Sequence, residues 1–408
     1  MYLKLVLLAA KALGALSRLI GKGSGVMVAG RLIMALAPGA VEKLARDKRV
    51  VLISGTNGKS TTAKLIAAAL SSKYSIAHNH TGANLFAGVA AALGAKPKSE
   101  VAVLEVDELV LPWTIAKTNP ELVVLLNLGR DQLDRLSEVR IVSSKWRDAV
   151  AQSNQVLASC DDPFVVHAAL AANHVIWFSA GEHGHLDAAT CPQCGALLSW
   201  SADGDNFKCK CGFAKPSPDW QLRKDQLTWK EYGKQAKNNQ SIEVITAIPG
   251  RAALQNAARA LIVAGLFGVE MATASKAIAE IESIDGRFAI KKIGECNFRL
   301  MLSKNPASWR ETLATSRERN VQNVLLVVNA NTQDGKDTSW LWDVDFKPLS
   351  GRRVLVTGDR RIDVSARLTV DGIEHQVVAD EVAAAQVFDA ADADLIASYT
   401  AFHRLARK

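Results

Sequence analysis

Lys59 and Ser60 close a run that turn chemistry alone does not explain: Val50-Val51-Leu52-Ile53-Ser54-Gly55-Thr56-Asn57-Gly58-Lys59-Ser60-Thr61-Thr62. An apolar, β-branched stretch enters a glycine-bearing loop and leaves as a helix, the arrangement that holds a nucleoside triphosphate. Gly55 and Gly58 let backbone N–H groups close around phosphate oxygens, and the helix start adds the positive end of its dipole. Lys59 would reach the outer phosphates and the Ser60 hydroxyl would ligate Mg²⁺, with Thr56, Asn57 and Thr61 completing the loop. The longer general pattern puts a glycine at position 53, which here is Ile53, so the loop is a short form. We read it as an ATP site.

Four of the six cysteines form a second reactive group. Cys191-Pro192-Gln193-Cys194-Gly195 and Cys209-Lys210-Cys211-Gly212 are two tight pairs, able to offer four thiolates to one Zn²⁺. All four positions would be filled by protein, so this zinc would be structural and would activate no water. A third candidate is Val103-Leu104-Glu105-Val106-Asp107-Glu108, where acids end a strand-like run and bring a carboxylate to the strand end at which parallel sheets bind ligands.

These residues need a scaffold, and the sequence supplies one. From Arg49 onward β-rich runs (50–54, 101–106, 122–127, 155–159) alternate with Ala/Leu-rich segments such as 61–70, which predicts a parallel sheet covered by helices. The alternation breaks between about 180 and 219, so the Cys-rich stretch reads as an insertion. New strand candidates at 298–302, 324–329, 354–357 and 395–398 follow a long Ala-rich helix and predict a second α/β domain, of Rossmann-like type. The organisation expected is a helical segment over 1–48, an ATP-binding domain over 49–245 with the zinc ribbon at about 185–218, and a C-terminal domain over 246–408.

Length and composition agree with this plan and exclude others. The chain has 408 residues, 49% hydrophobic and 22% charged, which fits ordered globular domains and neither a disordered chain nor a collagen-like fibre. Its net charge of +8 suits anionic ligands but is not gathered into a basic run that would imply nucleic acid. Lys4, Lys11, Arg18, Lys22 and Arg31 interrupt the apolar start, so neither a membrane span nor a signal peptide is expected, and the chain reads as cytoplasmic. Residues 2–20 form a helix with Lys4, Lys11 and Arg18 on one stripe. It could rest on an anionic membrane surface, making the protein peripheral at the inner face, or pack on its own domain; packing is the reading taken.

The short loop Gly-Thr-Asn-Gly-Lys-Ser-Thr resembles that of the Mur ligase family, enzymes that phosphorylate a carboxylate and let an amine attack. The resemblance implies that Glu108 holds Mg²⁺ together with Ser60. Asn127-Leu128-Gly129-Arg130-Asp131-Gln132-Leu133-Asp134 resembles the family's Asn…Asp-x-x-Asp segment and makes Asn127, Arg130 and Asp131 nucleotide-site candidates. Cys160-Asp161-Asp162-Pro163 stands where the family has an Asp-Asp turn near the adenosine; on residues alone it is a plain turn. Asn256, in Gly250-Arg251-Ala252-Ala253-Leu254-Gln255-Asn256, keeps one asparagine of the family's helix start, with Ala253 in place of another. Arg287, after Gly286, matches the Gly-Arg at the family's domain junction and would offset phosphate charge. Lys304 stands before Asn305-Pro306 where Mur ligases usually have His.

Only 54 residues precede Gly55, too few for the family's usual domain for the uridine nucleotide. The inserted cysteine ribbon, Lys304-Asn305-Pro306, and a loop over 329–346 that sets Trp340 and Trp342 among Asp334, Asp337, Asp343 and Asp345 resemble the MurT branch of the family. That resemblance implies ATP-dependent amidation of the α-carboxylate of D-glutamate in the stem peptide of lipid II, with ammonia from a glutaminase partner, GatD. It also implies that an aspartate completes the partner's Cys-His pair. Asp337 is the match, with Asp363 as the competing position. Two other functions stay open: a stand-alone amino-acid ligase of the folylpolyglutamate type, and a nucleotide-binding scaffold without catalysis.

Overall fold

The computed structural model describes the chain except for residues 21–23, 80–81, 131–138, 182–186, 230–239, 283–286, 320, 390 and 408. The described residues form two compact units. The first takes in residues 1–129, 137–246 and 254–280, and the second includes 247–253 and 281–408. The chain therefore crosses between units inside a helix, where the sequence reading placed the boundary at 246.

The first unit opens with three helices, α1 (Tyr2–Leu19), α2 (Val26–Leu36) and α3 (Ala40–Ala45). Then come β1 (Arg49–Ser54), α4 (Lys59–Ser71), β2 (Ile76–His78), α5 (Phe86–Ala95), β3 (Val101–Glu105), α6 (Leu111–Thr118) and β4 (Leu122–Leu125). The alternation continues through α7 (Val139–Val150), β5 (Val156–Ser159), α8 (Pro163–Ala169) and β6 (Val175–Ser179). The four strand runs read from the sequence in this unit all form strands. They are near-continuous Val/Ile/Leu because helices cover both faces of a parallel sheet; Val51, Leu52 and Ile53 are wholly buried.

Beyond β6 lie a small ribbon, β7 (Ser199–Trp200) with β8 (Phe207–Lys208), and an antiparallel extension, β9 (Trp220–Arg223), β10 (Gln226–Trp229) and β11 (Gln240–Glu243). The large sheet runs β11-β10-β9-β6-β5-β4-β1-β3-β2. β1 pairs in parallel with β3 on one side (Arg49 opposite Val101) and with β4 on the other (Val51 opposite Leu122). The order reverses at β1, so the loop after it opens into the crevice where such sheets bind ligands. The unit closes with α9 (Arg251–Leu266), which begins in the other unit, and α10 (Met271–Ala279).

The second unit holds β12 (Phe288–Ile293), β13 (Cys296–Leu302), α11 (Pro306–Glu318), β14 (Asn323–Val327), β15 (Arg353–Thr357), α12 (Arg361–Val370), β16 (His375–Val377), α13 (Glu381–Phe388), β17 (Ala393–Ala397) and α14 (Tyr399–Arg407). Its sheet runs β12-β13-β17-β14-β15-β16, parallel except at the β12 edge. The sequence fixes α11 locally: Pro306 sits in its first turn, and the Asn305 side chain accepts from the Ser308 N–H at 2.9 Å while Ser308 Oγ accepts from the Asn305 N–H at 3.0 Å. A buried bidentate pair, Arg299 with Asp394 at 2.7 and 2.9 Å, ties β13 to β17.

Candidate active site

The loop between β1 and α4 is built on two glycines. Gly55 (φ 151°) lies so close to the next strand that a Cβ would meet Leu126 Cβ at 2.8 Å, and Gly58 (φ 84°) is left-handed with a Cβ site 3.0 Å from Asn256 Oδ1. A side chain at either position would press on these neighbours or strain the turn. No side chain caps α4, so the first-turn N–H groups face the loop as a helix end suited to an anion.

The residues after β4 hold the loop in shape. Thr56 N–H donates to the Asn127 carbonyl at 2.9 Å, Asn57 N–H to Asn127 Oδ1 at 2.9 Å, and Asn127 Nδ2 returns a bond to the Asn57 carbonyl at 3.1 Å. Gly129 N–H donates to Thr56 Oγ1 at 3.0 Å. Leu128 N–H donates to Asp162 Oδ2 at 2.6 Å, and the other oxygen of that carboxylate caps α8 through Phe164 and Val165 N–H. On the far side Thr62 Oγ1 donates to Asn256 Oδ1 at 3.0 Å, which brings α9 against α4.

The charges converge inside this frame. Lys59 Nζ lies 3.1 Å from Glu108 Oε2 and also donates to the Gly55 carbonyl; both side chains are almost wholly buried. Trp146 Nε1 donates to the Glu108 carbonyl at 2.8 Å and fixes the chain there. A buried lysine–carboxylate pair is costly to desolvate and strongly destabilised if one partner is lost, so it tends to persist where the charges do work. The structure thus brings together Gly55, Thr56, Asn57, Gly58, Lys59, Ser60, Thr61, Glu108, Asn127 and Asn256. Asp131 lies outside the described residues. Arg287 is in the second unit, half-buried just before β12, and its carbonyl accepts from Leu302 N–H at 3.0 Å. Asp337, also in the second unit, is exposed at the start of a short 3₁₀ turn. Its Oδ1 accepts from the Ser339 N–H at 2.8 Å, which holds its pKa below the ordinary aspartate value. Asp363 is exposed and pairs with Arg360 at 3.6 Å.

The four cysteine sulfurs of the ribbon lie within 4.8 Å of one another, with Cys191 to Cys211 at 3.8 Å and Cys194 to Cys209 at 3.5 Å. A tetrahedral Zn–S site with bonds of about 2.3 Å has sulfur–sulfur edges of about 3.8 Å, so the spacing fits a closed metal site. Both pairs sit on tight turns: Gly195 N–H donates to the Cys191 carbonyl at 2.8 Å and Gly212 N–H to the Cys209 carbonyl at 3.0 Å.

Several functional-looking residues carried no signal in the sequence reading. Asn79, buried at the end of β2, bonds both the N–H and the carbonyl of Glu105 at 2.8 and 2.7 Å, and Asn84 Nδ2 reaches Glu105 Oε1 at 3.2 Å. Lys215, after β8 and the second cysteine pair, pairs with fully buried Asp161 at 2.7 Å and donates to the Asp205 carbonyl at 2.6 Å. Burial opposes the Lys215 charge, but the Asp161 carboxylate more than offsets it and the pKa lies above the ordinary value. A polar residue at a strand end was the available hint for Asn79; nothing local marks Lys215.

Residues 53–264 match the Mur ligase middle domain and residues 302–402 the MurT ligase C-terminal family. The chain belongs to the Mur ligase family, the class that its loop and its parallel sheets define. Within that family it falls with MurT. It is 29% identical over 384 residues to the MurT subunit of the lipid II isoglutaminyl synthase (glutamine-hydrolyzing) of Staphylococcus aureus strain N315, covering 89% of this chain and 87% of that protein. The Streptococcus pneumoniae subunit of the same name is 27% identical over 423 residues, covering 95% of this chain and 92% of that protein. Among solved structures, a pseudomurein peptide ligase type C from Methanothermus fervidus shares the fold, with a TM-score of 0.66 at 17% identity, covering 87% of this chain and 77% of that one.

Proposed function

We propose that this chain is the synthetase subunit of a lipid II isoglutaminyl synthase, amidating the α-carboxylate of D-glutamate in the stem peptide. The buried Lys59–Glu108 pair beneath a glycine loop, in a chain similar to MurT subunits over nine-tenths of its length, carries the reading. In this assignment the ATP-binding domain spans about 49–245 with the ribbon at 185–218, and the C-terminal domain serves the partner.

The reaction runs in two steps. A carboxylate oxygen attacks the γ-phosphorus of ATP and ADP leaves, giving an acyl phosphate. Ammonia then attacks the acyl carbon, phosphate departs with the carboxylate oxygen, and a proton is released as the amide forms. The chain's work is positioning and charge neutralisation. The N–H groups of Gly58 to Thr61 cradle the phosphates, and Lys59 exchanges Glu108 for the outer phosphate. Ser60 and Glu108 offer the hard oxygen donors that Mg²⁺ prefers, and Glu108 already faces a cation, the Lys59 ammonium. When bound, Mg²⁺ supplies positive charge against the developing phosphate charge. Asn127 shapes the loop and Asn256 bounds it; the family resemblance adds Asp131 and Arg287 as candidates for nucleotide contact.

Nitrogen comes from elsewhere. Of the six cysteines, four form the ribbon cluster, Cys296 is buried and donates to the Ala385 carbonyl, and Cys160 is buried with its pKa pushed up to about 12 by burial and by Asp161. None is set up as a glutaminase nucleophile. A glutaminase subunit, GatD, would supply ammonia, with Asp337 orienting its histidine. The ribbon would hold one structural Zn²⁺, and metal analysis of the purified chain should find it stoichiometric, and absent from Cys211→Ser. No described helix is long and apolar enough to cross a membrane; the protein would meet its lipid-borne substrate as a peripheral protein at the cytoplasmic face.

The test is to incubate the purified chain with its glutaminase partner, ATP, Mg²⁺ and lipid II. Ammonium and glutamine are offered separately, and carboxyl-to-carboxamide conversion is read by mass spectrometry. Conversion with both sources supports the reading. Incorporation of an amino acid in place of ammonia, or no conversion at all, contradicts it.

A further inference from the structure

The surface that leads the protein to such a lipid can be read from α1. Val6, Ala10, Gly14 and Ser17 form its buried stripe, spaced four, four and three residues apart. The packing is close: a Cβ on Gly25, at the start of α2, would meet the Gly14 carbonyl oxygen at 2.1 Å, and Leu7 lies against α5 near Gly94. At 100° per residue the other stripe, Leu5, Leu8, Ala12, Leu16 and Leu19, faces roughly 150° away. It is open to solvent, with Leu5 58%, Leu8 64%, Leu16 53% and Leu19 84% exposed.

An outward leucine stripe on a helix that already buries its other face is unusual, because isolated exposed leucines are common but aligned ones mark a contact. Its flank carries Lys4, Lys11 and Arg18, seven residues apart and all exposed. No Asp or Glu occurs anywhere before Glu42, while the same stretch has five Lys and Arg. We propose that this outward face of α1 docks on an anionic lipid surface, the leucines entering the headgroup boundary and Lys4, Lys11 and Arg18 meeting lipid phosphates.

Charge complementarity selects this occupant. A helix with an apolar stripe beside a cationic one, and no acid to repel phosphate, is the interfacial pattern. A protein interface would be expected to centre on aromatic or arginine anchors with hydrogen-bonding groups, and the leucine stripe has neither. One such helix gives reversible attachment, which suits an enzyme that must visit many lipid-borne substrates. The inference deepens the proposed amidation by naming its meeting surface, but its test uses neither ATP nor substrate.

The full chain is sedimented with vesicles of phosphatidylcholine alone and with vesicles containing phosphatidylglycerol. Binding to the second and not the first is expected, falling with added salt. Leu8→Glu/Leu16→Glu should abolish it, and Lys4→Gln/Lys11→Gln should weaken it by roughly fivefold per cation removed. The second variant touches only exposed cations and keeps the test valid if the first misfolds. Absence of vesicle binding by the unaltered chain, or unchanged binding by both variants, would overturn the proposal. So would a Leu8→Glu/Leu16→Glu chain that loses its glutaminase partner while the unaltered chain ignores vesicles, since the face would then be a protein interface. Amidation of a water-soluble stem peptide should be unchanged in both variants, which separates failure of the surface from failure of the enzymatic reading.

Discussion

The carboxyl ends of the two sheets are made from similar parts and arranged differently. In the first unit the polar residues after β1, β3 and β4 meet around the two-glycine loop and leave a buried Lys59–Glu108 pair beneath it. In the second unit the residues after β14, β15 and β17 knit to one another. Asn329 N–H donates to Ser398 Oγ at 2.9 Å, Asp359 N–H to Asn329 Oδ1 at 3.0 Å, and Asp334 takes both the N–H and the hydroxyl of Thr400, at 2.7 and 2.5 Å. There the polar groups satisfy each other, and Asp337 stands exposed at the next turn, its Oδ1 accepting from the Ser339 N–H. Under the proposed function, the first arrangement would concentrate charge for the phosphates of ATP, and the second would stiffen a loop that offers Asp337 to the glutaminase partner.

The contrast can be broken most sharply at Asp337. Asp337→Asn should lower glutamine-dependent amidation by about 10⁴-fold, as losing a triad aspartate does, and spare the ammonium-dependent reaction. Equal loss with both nitrogen sources would remove the presenting role. Lys59→Ala comes next: amidation should fall by about 10²–10³-fold whichever nitrogen source is used, because an aimed positive charge is gone from a dry site. Activity close to wild type would mean that the loop holds something other than the reacting phosphates.

Lys215→Met probes how the ribbon is tied to the sheet that carries the Lys59 loop. It strands the Asp161 carboxylate, whose oxygens otherwise meet Lys215, Ser179 Oγ and the Ala180 N–H, and should cost about 3–5 kcal/mol in denaturant unfolding. A loss below about 1 kcal/mol would show that water reaches the pair. The smallest effect concerns Cys160. Its folded pKa, about 12, lies above the value near 8.5 of an exposed thiol, so its contribution to stability is complete below pH 8.5 and lost as pH rises toward 12. Cys160→Ala should flatten that alkaline decline, measured as unfolding free energy against pH; an unchanged slope would assign the decline to other groups.

What the sequence revealed follows from the range of the interactions involved. The loop, the cysteine pairs and the strands β1, β3, β4, β5, β13, β14, β15 and β17 were legible because each is written in a short run: glycines before Lys59, paired cysteines, apolar and β-branched stretches; the sheet-edge and short strands β2, β6, β12 and β16 were not read. The antiparallel strands Trp220–Arg223 and Gln226–Trp229 were not legible either, since they are as polar as a loop and become strands only by adding to the β6 edge. The same holds for the passage between units inside α9, for Asn79 against Glu105, and for Lys215 against Asp161, which is 54 positions away. Pairing at that distance leaves no periodic mark. The N-terminal helix was half legible: its cationic stripe was plain, but the sequence alone offered membrane contact and packing as alternatives, whereas in the structure opposite faces of α1 are free and packed.

Transfer of the γ-phosphoryl group to the substrate carboxylate at the Lys59 loop is the step on which the proposed function rests. It is tested most directly with stem peptide labelled with oxygen-18 in the α-carboxylate of D-glutamate, incubated with the complex, ATP, Mg²⁺ and ammonium. One labelled oxygen should appear in inorganic phosphate for each amide formed. Unlabelled phosphate alongside full amide formation would contradict the account.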